Sequence, residues 1–169
     1  MTIQNCLPTD IPQIFKLYNM AAAYQKTKRT VVVWPHFEAQ LVEKEVAENC
    51  QWKLLIDGEI ACVWAITFSD EQIWELRNLD PAVYIHRIAT NDKFRGKNFI
   101  TIIVEWAKKY AKSNDKKFVR LDTLGNNTKL IEHYTNAGFT FLGMFDLKDT
   151  KGLPAHYHDI PACLFELKL

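Results

Sequence analysis

Four cysteines are all that 169 residues contain. Cys6, Cys50, Cys62 and Cys163 are scattered, with no Cys-x-x-Cys pair and no histidine at zinc-site spacing, so neither a disulfide framework nor a structural zinc site is indicated. They read as reduced thiols. Long hydrophobic runs are missing too: Ala61 to Phe68 is a typical apolar stretch and is far too short to cross a bilayer. Charge of one sign is nearly absent. With 21 basic and 20 acidic residues the formal net charge is +1, which gives no general attraction to nucleic acid or to an anionic membrane surface. No charged-then-apolar leader, internal repeat, low-complexity tract or Gly/Ser linker is visible, so a cytoplasmic protein with a single domain over 1–169 is expected.

What is present is a 48% hydrophobic chain, enough for one sizeable core. A short strand is expected near Thr2 to Cys6, and Pro8-Thr9-Asp10 then opens a helix whose Ile11, Ile14, Phe15 and Tyr18 share a face. A flexible basic segment is expected at Gln25 to Thr30, and a second helix at Pro35 to Asn49. Trp52 to Ile56 and Glu59 to Phe68 flank Asp57-Gly58, a strong hairpin signal because glycine accepts positive φ.

The segment from Tyr84 to Gly138 carries the chemistry. In Tyr84-Ile85-His86-Arg87-Ile88-Ala89, strict alternation places Tyr84, His86 and Ile88 on one strand face and Ile85, Arg87 and Ala89 on the other. Arg87 is then expected to pair with Asp122 or another carboxylate across the sheet. A basic loop follows, and Phe99, Ile102, Ile103, Trp106 and Tyr110 recur at helical spacing. Lys93, Arg95 and Lys97 thus crowd a helix start, where free N–H groups and the helix dipole already favour an anion. Phe118 to Asp122 reads as a further strand, giving a strand-helix-strand unit with parallel strands and a right-handed crossover. Asn126-Asn127-Thr128 precedes a helix through Tyr134 that ends at Ala137-Gly138, before strands near Phe139 to Asp146 and Ala162 to Lys168.

These residues resemble the GNAT family of N-acetyltransferases. The family's cofactor motif is Arg or Gln, any two residues, Gly, any residue, then Gly or Ala. Here the run is Arg95-Gly96-Lys97-Asn98-Phe99-Ile100, which departs from the motif at Asn98 and Ile100. Asn98 is expected to preserve the turn, since asparagine tolerates left-handed backbone angles. Ile100 is expected to crowd a pyrophosphate. A second motif, Asn followed seven residues later by Tyr and then Gly-Phe, is matched by Asn127, Tyr134, Gly138 and Phe139. The resemblance covers nearly the whole chain and implies an α/β GNAT fold, a mixed central β-sheet flanked by helices with a splayed acetyl-CoA-binding strand.

It also implies an acetyl-CoA-dependent N-acetyltransferase that acetylates the primary amine of a small molecule by direct attack. Pantetheine would lie along the strand end Ile88, Ala89 and Thr90, and the pyrophosphate against Arg95, Gly96, Lys97, Asn98, Phe99 and Ile100. Asn127 would bond the pantetheine amide or cap its helix, and Tyr134 would protonate the departing thiolate. Tyr84 and His86 fall where a family member carries paired histidines. His86 is the leading base, acting through water, with Glu75 and Asp122 in reserve. Trp34, Tyr84 and Glu75 are candidates for the acceptor pocket, which the segments Gln25 to Trp34 and Lys148 to Pro161 would shape. His156-Tyr157-His158 is weak evidence for a metal, and no metal is expected. A homodimer is compatible with the family. The departures at Asn98 and Ile100 leave two alternatives open: a noncatalytic acyl-CoA-binding module, or a protein-interaction module with a degenerate pyrophosphate loop.

Overall fold

The computed structural model describes residues 1–28 and 32–169. Seven strands form one mixed sheet: β1 (Thr2–Asn5), β2 (Gln51–Ile56), β3 (Glu59–Thr67), β4 (Ala82–Thr90), β5 (Phe118–Leu124), β6 (Thr140–Phe145) and β7 (Ala162–Lys168). Their spatial order is β1-β2-β3-β4-β5-β7-β6, in which only β4 and β5 run parallel. The β2–β3 turn is the expected one, with φ of 51° at Asp57 and 80° at Gly58.

Among the described residues five α-helices accompany the sheet: α1 (Ile11–Thr27), α2 (Ala39–Ala47), α3 (Glu71–Trp74), α4 (Phe99–Ser113) and α5 (Thr128–Asn136). The α4 residues Ile103, Val104 and Ala107 bury against Trp64, Val83, Ile85 and Leu121 on one face of the sheet. On the other face, Ile14, Leu17 and Tyr18 of α1 join Val42 and Val46 of α2. Helix α1 runs to Thr27, further than the expected flexible segment allowed, because Ala21-Ala22-Ala23 continues it with good helix formers. Lys28 caps the helix, and the last two positions of that segment, together with position 31, lie outside the described residues. Helix α2 is shorter than expected: Phe37 stays extended ahead of it and buries its ring 5.2 Å from Tyr18 and 5.7 Å from Trp34. Its end is as expected, with Asn49 at φ 57°.

The alternation expected for β4 fails at Arg87. Ala65 pairs with His86 and Val63 with Ala89, so β4 carries an extra residue there, and Arg87 takes φ 49°. After the bulge, Ile88 packs with the α4 face while Ala89 joins the α1 face. Ile88 therefore does not share a face with His86. Arg87 ion-pairs with Glu45 of α2 and lies 3.4 Å from the Tyr18 hydroxyl, so its carboxylate partner is Glu45 and not Asp122.

Beyond the bulge the parallel strands separate. β4 pairs with β5 only from Ala82↔Phe118 to Ile85↔Leu121. From there β4 stays with β3 as far as Cys62↔Thr90, while β5 stays with β7 as far as Leu124↔Ala162. The β5-facing edge of residues 86–90 is left without a neighbouring strand.

Candidate active site

An open cleft of about 350 Å³ occupies that separation. It is lined by Ile88 and Thr90 of β4, by Phe94 to Ile100 of the loop and first turn of α4, and by His133 and Tyr134 of α5. Asn98 caps α4 in the left-handed conformation, φ 49° and ψ 49°, as expected for a stand-in for glycine. Ile100 departs from expectation. The residue is only 4% exposed and packs into the α4 core while still lining the cleft from the first turn of α4.

The loop cations divide. Lys93 turns aside to Glu59 at 2.7 Å and does not line the cleft. Arg95 stays at the rim, its guanidinium 4.0 Å from the ring centre of Tyr24 near the end of α1. Lys97 lines the cleft beside Phe94. Asn127 caps α5 by accepting from the Leu130 amide at 3.2 Å, which is its structural role. The Tyr134 ring lies 5.3 Å from Phe165 and 6.2 Å from Phe139. Burial pushes its phenol up, with smaller contributions from Asp122 and Cys62, so it is held protonated.

On the α1 side, His86 stands between two carboxylates. Its Nε2 is 3.7 Å from Asp70 Oδ2, and its Nδ1 is 4.0 Å from Asp122 Oδ1. Tyr157 donates to Asp122 Oδ2 at 3.1 Å, and its ring neighbour His156 reaches Phe37. Burial, aided by Arg87, pushes His86 down to about 3. Burial, aided by the charge of Asp122, pushes Asp70 up to about 8, and burial raises Asp122 to about 6. The three side chains each bring one donor atom within 4.8 Å of the others. Because the carboxylates face different ring nitrogens, the arrangement suits proton transfer across the ring better than convergence on one ion.

The expected pocket residues are placed differently. Tyr84 is fully buried, its oxygen 3.2 Å from Arg120 Nη1 and its ring 5.6 Å from Trp74, so it is sealed beneath the site and does not line it. Glu75 faces outward to Lys148 at 2.8 Å, which removes it from the site. Trp34 stacks edge-on with Tyr18 and Phe37, one ring behind Phe37. Asp70 and Tyr157 are the site residues that sequence reasoning missed. Both lie in connections without periodicity, and only the fold brings them to His86 and Asp122.

The profile of the acetyltransferase (GNAT) family matches residues 12–139, most of the chain. The chain belongs to this family. The match spans the bulged strand, the α4 loop and the Asn127–Tyr134 helix, so each feature of the GNAT cleft lies inside it. The uncharacterised N-acetyltransferase YesJ of Bacillus subtilis (strain 168) is 26% identical over 74 residues, 44% of this chain and 41% of the relative's length. This GNAT chain thus aligns with less than half of that curated relative. Among solved structures, a GNAT family acetyltransferase from Listeria monocytogenes superimposes with TM-score 0.79 at 22% identity, covering 99% of this chain and 94% of the other. The Salmonella typhimurium protein yncA, solved with its cofactor acetyl-CoA, gives 0.70 at 14% identity over 100% and 94%. At these identities the two structures speak for the GNAT fold.

Proposed function

We propose that this protein transfers an acetyl group from acetyl-CoA to the primary amine of a small molecule by direct attack. The observation that carries the reading is the convergence, in one cleft, of an unpaired strand edge at 86–90, the anion-binding start of α4 and the Tyr134 phenol. Main-chain groups of Ile88, Ala89 and Thr90 would hold the pantetheine arm as an added strand would be held. The amides of Gly96 to Ile100, with Arg95 and Lys97, would take the pyrophosphate. The left-handed Asn98 and the core-facing Ile100 fit that group. Both features support a working pyrophosphate loop over a degenerate, noncatalytic one.

The thioester supplies the acetyl group. Across the strand gap, His86 would take the proton from the acceptor ammonium, directly or through water, because only the neutral amine has a lone pair for attack. Asp122 would hold the ammonium beside it by charge. Tyr134 would meet the departing sulfur with its phenolic proton. The ring contacts from Phe37 through His156 to Tyr157 bring aromatic side chains up to Asp122, where they would pack against a small acceptor. The four cysteines are free thiols, in keeping with a reducing, cytoplasmic setting.

Incubation with acetyl-CoA, a panel of small primary amines and a panel of peptides with free N-termini, read by mass spectrometry, tests this. N-acetylated small amines support it. Transfer confined to the peptides, or none to either panel, contradicts it.

A further inference from the structure

An imidazole held down near 3 is a poor final holder for a proton taken from an ammonium group. The ring needs an exit on its far side. Asp70 is placed there: its Oδ2 is 3.7 Å from Nε2, is buried, and has no hydrogen-bond partner. Its backbone is fixed from two directions, because its amide donates to Asn78 Oδ1 at 2.7 Å and its carbonyl accepts from the Trp74 amide at 2.9 Å. A buried carboxylate oxygen without a partner carries a desolvation cost, which a proton relieves. Among the described residues no hydrogen bond holds Oδ2 itself.

We propose that Asp70 is the proton-holding residue of this acetyltransferase, acting through His86 and receiving at Oδ2 the proton that the ring takes from the acceptor. This rests on the acetyl-transfer reading with His86 as base. In the reactive form Asp70 is ionised, Nε2 carries the hydrogen 3.7 Å from its Oδ2, and Nδ1 presents its lone pair toward the gap beside Asp122. The acceptor N–H bond breaks and its proton passes to Nδ1. The Nε2–H bond breaks and that proton passes to Asp70. The ammonium becomes a neutral amine, Asp70 becomes a neutral acid, and the imidazole returns neutral as its other tautomer. Asp122 keeps its charge, held by the Tyr157 hydroxyl.

The surroundings support this order. Asp122 from β5 disfavours a charge on Asp70, and a charge on Asp70 in turn raises the buried hydroxyls of Tyr84 and Tyr157, while Arg87, committed to Glu45, opposes a charge on the ring. Burial and the neighbouring Asp122 charge raise Asp70, whereas burial and Arg87 lower His86, so between these two the proton rests on Asp70.

Two readouts keep this role apart from the reading it rests on. The first is the pH profile of kcat/KM, measured with two acceptors of different amine pKa. A limb set by the acceptor moves with the acceptor, whereas a limb set by Asp70 stays near pH 8. Asp70→Asn should abolish the fixed limb and Asp70→Glu should restore it in part. A fixed limb that survives in Asp70→Asn overturns the assignment while leaving acetyl transfer intact. The second needs no turnover: carbon-13 NMR titration of the Asp70 carboxyl in the wild-type protein. Titration near pH 8, lost in Asp70→Asn, supports the role, and titration near pH 4 overturns it whether or not any acceptor is found.

Discussion

His86 and Tyr134 lie on opposite sides of the strand gap, and Asp122 is the residue whose charge reaches both. The division of labour therefore depends on single side chains. Tyr134→Phe keeps the ring contacts with Phe139 and Phe165 and removes only the phenolic proton. Steady-state kinetics should show kcat lower by about 10²-fold, with acetyl-CoA affinity nearly unchanged. An unaltered kcat with chemistry rate-limiting would count against the acid role. A second consequence concerns stability. Because Asp70 is raised when folded, the native state binds the extra proton, and the stability this confers is lost as pH rises from the ordinary aspartate value near 4 toward about 8. Asp70→Asn has no such proton to lose. Its unfolding midpoint relative to wild type should rise between pH 5 and pH 9, and a flat difference would contradict the raised carboxyl. At this scale the cleft positions of Arg95 and Tyr134 and the capping position of Asn127 were legible because each sits at a fixed offset within a short motif. Asp70 and Tyr157 were not, since nothing local marks a loop residue that long-range folding brings to His86. The buried hydroxyl of Tyr84 was misread because its partner, Arg120, comes from the neighbouring strand.

Among the elements, β4 and α4 do most to build the site. The bulge at Arg87 puts His86 and Ile88 on opposite faces and returns Ile88 to the cleft, and it coincides with the point where β5 departs. Period-2 reasoning could not find it, because a positive φ at arginine leaves no trace in hydrophobic alternation. The parallel β4–β5 pair, the Asp57-Gly58 hairpin and the α4 start were readable from pattern and turn chemistry alone. Helix α2 was overread because Phe37 prefers the aromatic cluster to a helical turn. The left-handed Asn98 gives α4 a testable start. Asn98→Gly relieves its backbone cost, and unfolding by urea should show stability unchanged or slightly raised, with acetyl-CoA binding retained. Asn98→Ala must hold a side chain at φ 49° without asparagine's local bonding, and should lose about 1 kcal/mol. Equal stability of the two variants would mean that the turn does not require this conformation.

Over the whole molecule, one sheet from β1 to β6 carries both sides of the site, with α4 and α5 behind the cofactor cleft and α1 and α2 behind the acceptor side. Among the described residues no helix is long and apolar enough to cross a membrane. A shared sheet implies that unfolding is one cooperative event and that ligand binding stabilises all of it. Acetyl-CoA at 100 times its Kd should raise the melting midpoint by roughly 5–10 °C, and two separate transitions would contradict a single folding unit. Composition and the two motifs sufficed to anticipate this architecture. They could not anticipate how the sheet opens, because strand separation is set by pairing partners distant in sequence.

Titration calorimetry with acetyl-CoA, beside a nucleotide bearing the same phosphates but no pantetheine, tests the central claim most directly. The cleft predicts one site per chain, with affinity lowered at least tenfold when pantetheine is absent, because the free edge of β4 then has nothing to pair with. No binding to the folded protein, or equal binding of the two ligands, would contradict the account.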